Sequence, residues 1–113
     1  MLTKTLGAVG ALLLAAVPSS ASHGTMLTSW YGPGFHGRLT ANGEVYDEMG
    51  PTAAHKTLPF GTRLRVCYRG CATVRINDRG PFIGARELDV SRGVAESIGL
   101  IEPGVANVSV TYL

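Results

Sequence analysis

From Arg63 onward the chain alternates between apolar and polar positions. In TRLRVC, Leu64 and Val66 alternate with Arg63 and Arg65, and in ATVRIND, Val74 and Ile76 alternate with Thr73, Arg75 and Asn77. A period of two turns one face of an extended chain to the core and the other to water, so both stretches predict half-buried strands. ELDVS repeats the pattern with Leu88 and Val90 against Glu87 and Asp89, and GVANVSVTYL does so with Ala106, Val108, Val110 and Tyr112. TMLTSWYG is strand-like up to Gly32, and TAAH (52–55) is a short apolar stretch inside a polar region. One segment has helical spacing instead: Val94, Ala95 and Ile98 share a face, with Ser91 placed to cap the start and Gly99 to end it. Several short strands and one short helix predict a small, mainly β domain. A closed barrel is favoured, because closure leaves no strand edge unpaired.

The connections add detail. CYRGC joins two predicted strands through Tyr68, Arg69 and Gly70, a hairpin whose flanking cysteines can face each other across the strand ends. From Gly32 to Gly61 the chain is rich in Gly, Pro, Thr and Asn, and so long an irregular stretch predicts a surface groove.

The first 21 residues have a different pattern. Lys4 precedes an apolar run from Leu6 to Val17, and Pro18 is followed by small residues at Ser19 and Ala21. That run is short of the roughly 20 residues that cross a bilayer. It predicts a signal peptide over residues 1–21, cut before Ser22, with one domain over 22–113. Cleavage implies an exported protein in the periplasm, cell wall or extracellular space, with no stable membrane anchor left and a monomer expected. A domain of this size buries only about 60–65% of its unfolded surface, so a covalent staple helps it. In an oxidising compartment Cys67 and Cys71, the only cysteines, predict a disulfide rather than two free thiols.

Charge excludes one class of partner. Losing Lys4 lowers the basic count from 10 to 9 against 8 acids, and the arginines are scattered singly among apolar residues. Without a concentrated basic face, no nucleic-acid partner is expected. No metal or other cofactor is expected either, since His23, His36 and His55 make no helical pair and no carboxylate cluster accompanies them.

The candidate chemistry centres on RINDRGPF, where Asp78 ends an alternating strand just before Gly80-Pro81. An aspartate there either builds the bend by bonding nearby N–H groups or acts as a catalytic carboxylate, and the segment alone leaves both open. TANGEVYD lifts Glu44 out of the chain path at an Asn42-Gly43 turn, TAAHKTLPFG supplies His55 and Lys56, and SWYGPGFHG supplies Trp30, Tyr31, Phe35 and His36 among glycines. Aromatic faces stack on sugar rings and polar groups hold their hydroxyls, so the set suggests a carbohydrate groove. Trp30 is expected in the core, with Tyr31 on the opposite face.

SWYGPGFHGRLTANGEVYD, TAAHKTLPFGTRLRV, VRINDRGPF and LDVSRGVAESIGLI, in that order, resemble the rare lipoprotein A (RlpA-like) family of lytic transglycosylases. The resemblance implies a six-stranded double-psi β-barrel with one or two short helices, acting endolytically on peptidoglycan glycan strands, peptide-stripped or not. It implies that Asp78 is the catalyst and that Glu44 and His55 line the same cleft, with Tyr31, Thr40, Asn42, Lys56 and Arg79 as substrate-binding candidates. Such an enzyme cleaves the MurNAc–GlcNAc β-1,4 bond and leaves 1,6-anhydro ends, so one carboxyl group can act first as acid and then as base. The chain departs from the family pattern in having no cysteine after the leader for lipid attachment, in the short hairpin between Cys67 and Cys71, and in having no peptidoglycan-binding repeat after Leu113. Substrate affinity is therefore expected from the barrel alone. The alternatives are an expansin-like wall-binding module without catalysis and a hydrolase pairing Asp78 with Glu44.

Overall fold

The computed structural model describes residues 23–113, so the signal peptide expected over 1–21 lies outside the described residues. Six strands and one helix follow in chain order: β1 (His23–Trp30), β2 (Thr52–His55), β3 (Arg63–Cys67), β4 (Cys71–Asp78), β5 (Leu88–Val90), α1 (Arg92–Ile98) and β6 (Val105–Tyr112). Every stretch with period-two spacing is a strand, and the apolar stretch 52–55 is β2. Among the described residues no helix is long and apolar enough to cross a membrane.

The strands close into a barrel in the order β1-β5-β2-β4-β3-β6. The pairs β1–β5 and β2–β4 are parallel and the other four are antiparallel. Parallel neighbours need a crossover, and the long irregular segment between β1 and β2 forms part of one. The apolar positions of the alternating strands fill the core: Leu64, Val66, Val74, Ile76, Leu88, Val90, Val108 and Val110 are all buried. Burying each such side chain contributes about 1.5–3 kcal/mol.

Helix α1 adds Val94, Ala95 and Ile98 to that core, on the face their spacing predicts. The Ser91 hydroxyl accepts the Val94 N–H and donates to the Gly50 carbonyl, tying the helix start to the preceding loop. Gly99 ends the helix in the left-handed region at φ 78°, where its N–H reaches Ala95 and Glu96 carbonyls.

Cys67 and Cys71 form a disulfide that closes the β3–β4 hairpin. The bridge braces the first residue of β4, whereas Asp78 is the last, about 23 Å further along an extended strand. The bridge therefore stabilises the hairpin, and the Asp78 end is held by other contacts.

Candidate functional site

Asp78 reaches its position through an irregularity in β4. Ala53 of β2 pairs with Ile76, but Ala54 pairs with Asp78, so Asn77 is the extra residue of a bulge. A bulge re-aims the side chain that follows it. Without it Ala54 would face Asn77; with it, Asp78 lies beside Ala54 and Asn77 is left buried beneath the 40–44 turn.

Three donors converge on the Asp78 carboxylate. Its Oδ1 accepts the backbone N–H of Ala41 at 2.8 Å and of Arg79 at 2.9 Å, and its Oδ2 accepts the Tyr31 hydroxyl at 2.7 Å. Tyr31 is buried and locked by its neighbours, stacked on Tyr46 at 4.4 Å between ring centres and edge-on to Phe35 at 5.8 Å. Burial, then the hydrogen bond to Asp78 and its charge, push the Tyr31 hydroxyl far above its ordinary pKa, so it remains a donor. Trp30 packs half-buried against the main core, on the other side of the strand as expected.

The Ala41 N–H is presented by a turn that holds itself together. Gly43, at φ 93°, allows the reversal that brings the Glu44 N–H onto the Asn42 Oδ1. The Thr40 hydroxyl donates to the same Oδ1, and the Asn42 amide donates to Glu44 Oε2. Glu44 then pins the turn to β4, accepting from Arg75 at 2.6 Å and from the Asn77 amide at 3.1 Å. The bond from Arg75, followed by those from Asn77 and Asn42, holds the Glu44 carboxyl down at about 2. At neutral pH Glu44 is an anion whose oxygens accept from Arg75, Asn77 and Asn42.

A second shoulder is built after β2. His55 Nδ1 accepts the backbone N–H groups of Thr57 and Leu58, both at 3.1 Å, which leaves the ring proton on Nε2. Burial lowers the His55 pKa, so the ring is neutral at pH 7. Arg79 donates to the His55 and Leu58 carbonyls and lies 4.0 Å over the Phe60 ring, and the Lys56 ammonium donates to the Arg86 carbonyl.

Beside Asp78 lies an open trough of about 230 Å³, lined by Asp78, Tyr31, Phe35, Arg79, Phe82, Ile83 and Asp89 among others. Of the residues singled out from sequence as catalytic or substrate-binding, Asp78, Tyr31 and Arg79 are in this lining. Glu44, His55, Thr40, Asn42 and Lys56 are not; Glu44, Thr40, Asn42, Lys56 and the Nδ1 of His55 bond neighbouring protein groups. Phe82 is 77% exposed and forms a rim. Asp89, not singled out from sequence, also lines the trough. Its signal was present: between Leu88 and Val90, which point into the core, an alternating strand must turn Asp89 the other way.

Residues 23–110 match the family described as lytic transglycolase. The chain is 56% identical over 86 residues to a probable endolytic peptidoglycan transglycosylase RlpA of Synechocystis sp., a match spanning 74% of this chain and 27% of that protein. It is 52% identical over 85 residues to the endolytic peptidoglycan transglycosylase RlpA of Campylobacter jejuni, spanning 73% and 31%, and 51% identical over 88 residues to that of Vibrio cholerae, spanning 75% and 34%. The match thus spans about a quarter to a third of the length of these relatives. Among solved structures, the Streptomyces papain inhibitor superposes with a TM-score of 0.63 at 19% identity, covering 80% of this chain and 94% of the inhibitor, which supports the barrel fold.

Proposed function

This chain belongs to the RlpA-like lytic transglycolase family, and on that premise we propose that it is an endolytic transglycosylase of peptidoglycan glycan strands. The observation that carries the proposal is Asp78, set at an open trough by a buried tyrosine hydroxyl and two backbone N–H groups. Phe35 and Phe82 line the same trough as apolar surfaces on which sugar faces stack. Cleavage breaks the bond between the MurNAc anomeric carbon and the GlcNAc oxygen as positive charge develops on the ring. The MurNAc C6 hydroxyl then closes onto the same carbon, giving a 1,6-anhydro end without consuming water. Asp78 lies against the reacting ring in this reading. Tyr31 orients Asp78, and Glu44 and His55 are positioning residues for the two shoulders. Thr40, Asn42 and Lys56 support the substrate through the shape of those shoulders, and Arg79 lines the trough itself.

The substrate implies work outside the cytoplasm, in keeping with a cleaved leader over 1–21, and the barrel acts as a monomer without cofactor. Purified glycan strands, with and without stem peptides, are to be incubated with the protein and the products weighed by mass spectrometry. New 1,6-anhydro ends are expected. Reducing ends instead would mean hydrolysis, and strands that are bound but uncut would mean an expansin-like binding module. Asp78→Asn is expected to remove the product while strand binding survives.

A further inference from the structure

Asp89 has no part in the reaction as described, yet it lines the same trough as Asp78. Its position follows from strand order. β2 lies between β4 and β5, and Ala54 of β2 is paired with Asp78 on one side and with Asp89 on the other. The three residues therefore form a row across three strands on one face, and the middle one carries only a methyl group. Two strand spacings separate the Asp78 and Asp89 Cα atoms by about 10 Å. Two aspartate side chains on one face at that spacing, both lining one trough, can hold their carboxyl groups roughly 5–9 Å apart, the range in which paired carboxyls act on one glycosidic bond.

The two acids have opposite surroundings. Asp78 accepts from three donors, an arrangement that suits a carboxylate. Asp89 accepts one bond, on Oδ1, from the buried Ser29 hydroxyl at 3.0 Å, and among the described residues its Oδ2 has no bonded partner. The groups around it are Ser29 of β1, Asp78 of β4, and Arg86 on the segment leading into β5, with Tyr31 at the end of β1. Burial raises the Asp89 pKa against the smaller opposing effects of the Ser29 hydrogen bond and the Arg86 charge, and the Asp78 charge adds the least, in the direction of burial. A half-buried acid with one neutral donor is suited to carry a proton, and a carboxyl group met by three donors is suited to face a developing positive charge.

We propose that Asp89 carries the proton of the reaction while Asp78 stays ionised beside the ring carbon that becomes cationic. This division of labour rests on the transglycosylase reading and replaces the single carboxyl group expected from sequence. As the bond from the MurNAc C1 to the GlcNAc O4 breaks, its electron pair leaves with O4, and O4 takes the Asp89 proton. Positive charge on C1 is met by Asp78. The C6 hydroxyl oxygen then donates a pair to C1, and its proton passes to Asp89, which regains its starting form. In a β-linked sugar the departing O4 and the entering O6 lie on one ring face, so one carboxyl group reaches both.

The test compares Asp89→Asn with Asp78→Asn in the full chain on two substrates: glycan strands, and a MurNAc aryl glycoside whose dinitrophenolate departs without a proton. Asp89→Asn is expected to lose at least about 100-fold on strands, the scale of general acid catalysis, and to stay within about tenfold of wild type in the first-turnover release of dinitrophenolate from the aryl glycoside, the bond-breaking step that precedes proton transfer to Asp89. Asp78→Asn is expected to lose at least about 100-fold on both, because the charge at C1 is needed whatever the leaving group. Full activity of Asp89→Asn on strands, or an equal loss on both substrates, would overturn the assignment. A second readout is independent of turnover. The 13Cγ resonance of Asp89 is expected to titrate above an ordinary aspartate in wild type and to move down slightly, staying raised, in Asp78→Asn; an ordinary midpoint in wild type, or no change in the variant, would overturn the pairing. If Asp89 titrates high but wild type makes no anhydro ends, the pairing stands and the transglycosylase reading fails.

Discussion

Replacing Glu44 by glutamine separates an anchoring role from a chemical one. The substitution removes the negative charge facing Arg75 and leaves one acceptor oxygen where two served Arg75, Asn42 and Asn77. The Glu44 and Arg75 side chains are 40% and 41% exposed, so solvent screens the ion pair and it contributes only about 0.5–1 kcal/mol. Losing one further acceptor adds a comparable amount, for a total of about 1–2 kcal/mol. In a domain of this size that lowers the melting temperature by roughly 5–15 °C. The pH dependence is also set. The folded carboxyl is depressed from an ordinary 4.5 to about 2, so its contribution is complete above pH 4.5 and fades as the pH falls toward 2. The stability gap between wild type and Glu44→Gln should therefore be widest near neutrality and narrow in acid, as followed by thermal melts between pH 7 and pH 2. Turnover should fall no more than about tenfold, through a looser Ala41 N–H on Asp78. An unchanged melting temperature with a loss of 100-fold or more in kcat would refute the reasoning, because that is the signature of an acid or base.

Serine at both Cys67 and Cys71 opens a loop of sequence separation 4 and should cost about 2 kcal/mol in urea denaturation. Turnover per folded molecule should be unchanged, since the bridge and Asp78 are at opposite ends of β4, and a tenfold loss would contradict this. Gly93→Ala ought to gain about 1 kcal/mol from helix propensity. Its new Cβ, however, would lie 2.9 Å from the Met49 Cα, so the expected result is a loss of about 1–3 kcal/mol, and a raised melting temperature would contradict the close docking of α1 on that loop. Tyr31→Phe keeps the stack on Tyr46 but removes the 2.7 Å bond to Asp78, and kcat should fall at least about tenfold with near-ultraviolet circular dichroism preserved. An unchanged kcat would show that the hydroxyl does not orient the carboxylate.

Local chemistry was legible in the sequence. Period-two spacing marked β3, β4, β5 and β6 because a pleated strand with one buried face has no other economical pattern, and Ser91 and Gly99 marked the ends of α1 because only certain residues satisfy a helix terminus. The disulfide followed from two cysteines flanking a short hairpin. Motif resemblance pointed to Asp78 and Tyr31, and both line the trough. What the tertiary structure alone decided was who faces whom. That Glu44 is paired with Arg75, 31 residues away, is visible only once β4 and the 40–44 turn are brought together. Asp78 and Asp89 become neighbours only because barrel closure puts β2 between their strands, and only because a bulge passes over Asn77. Spacing along a strand reports which face a side chain takes, but the partners waiting on that face come from strand pairing across the whole chain, and they determine whether a polar group is bonded to protein or left open to a ligand.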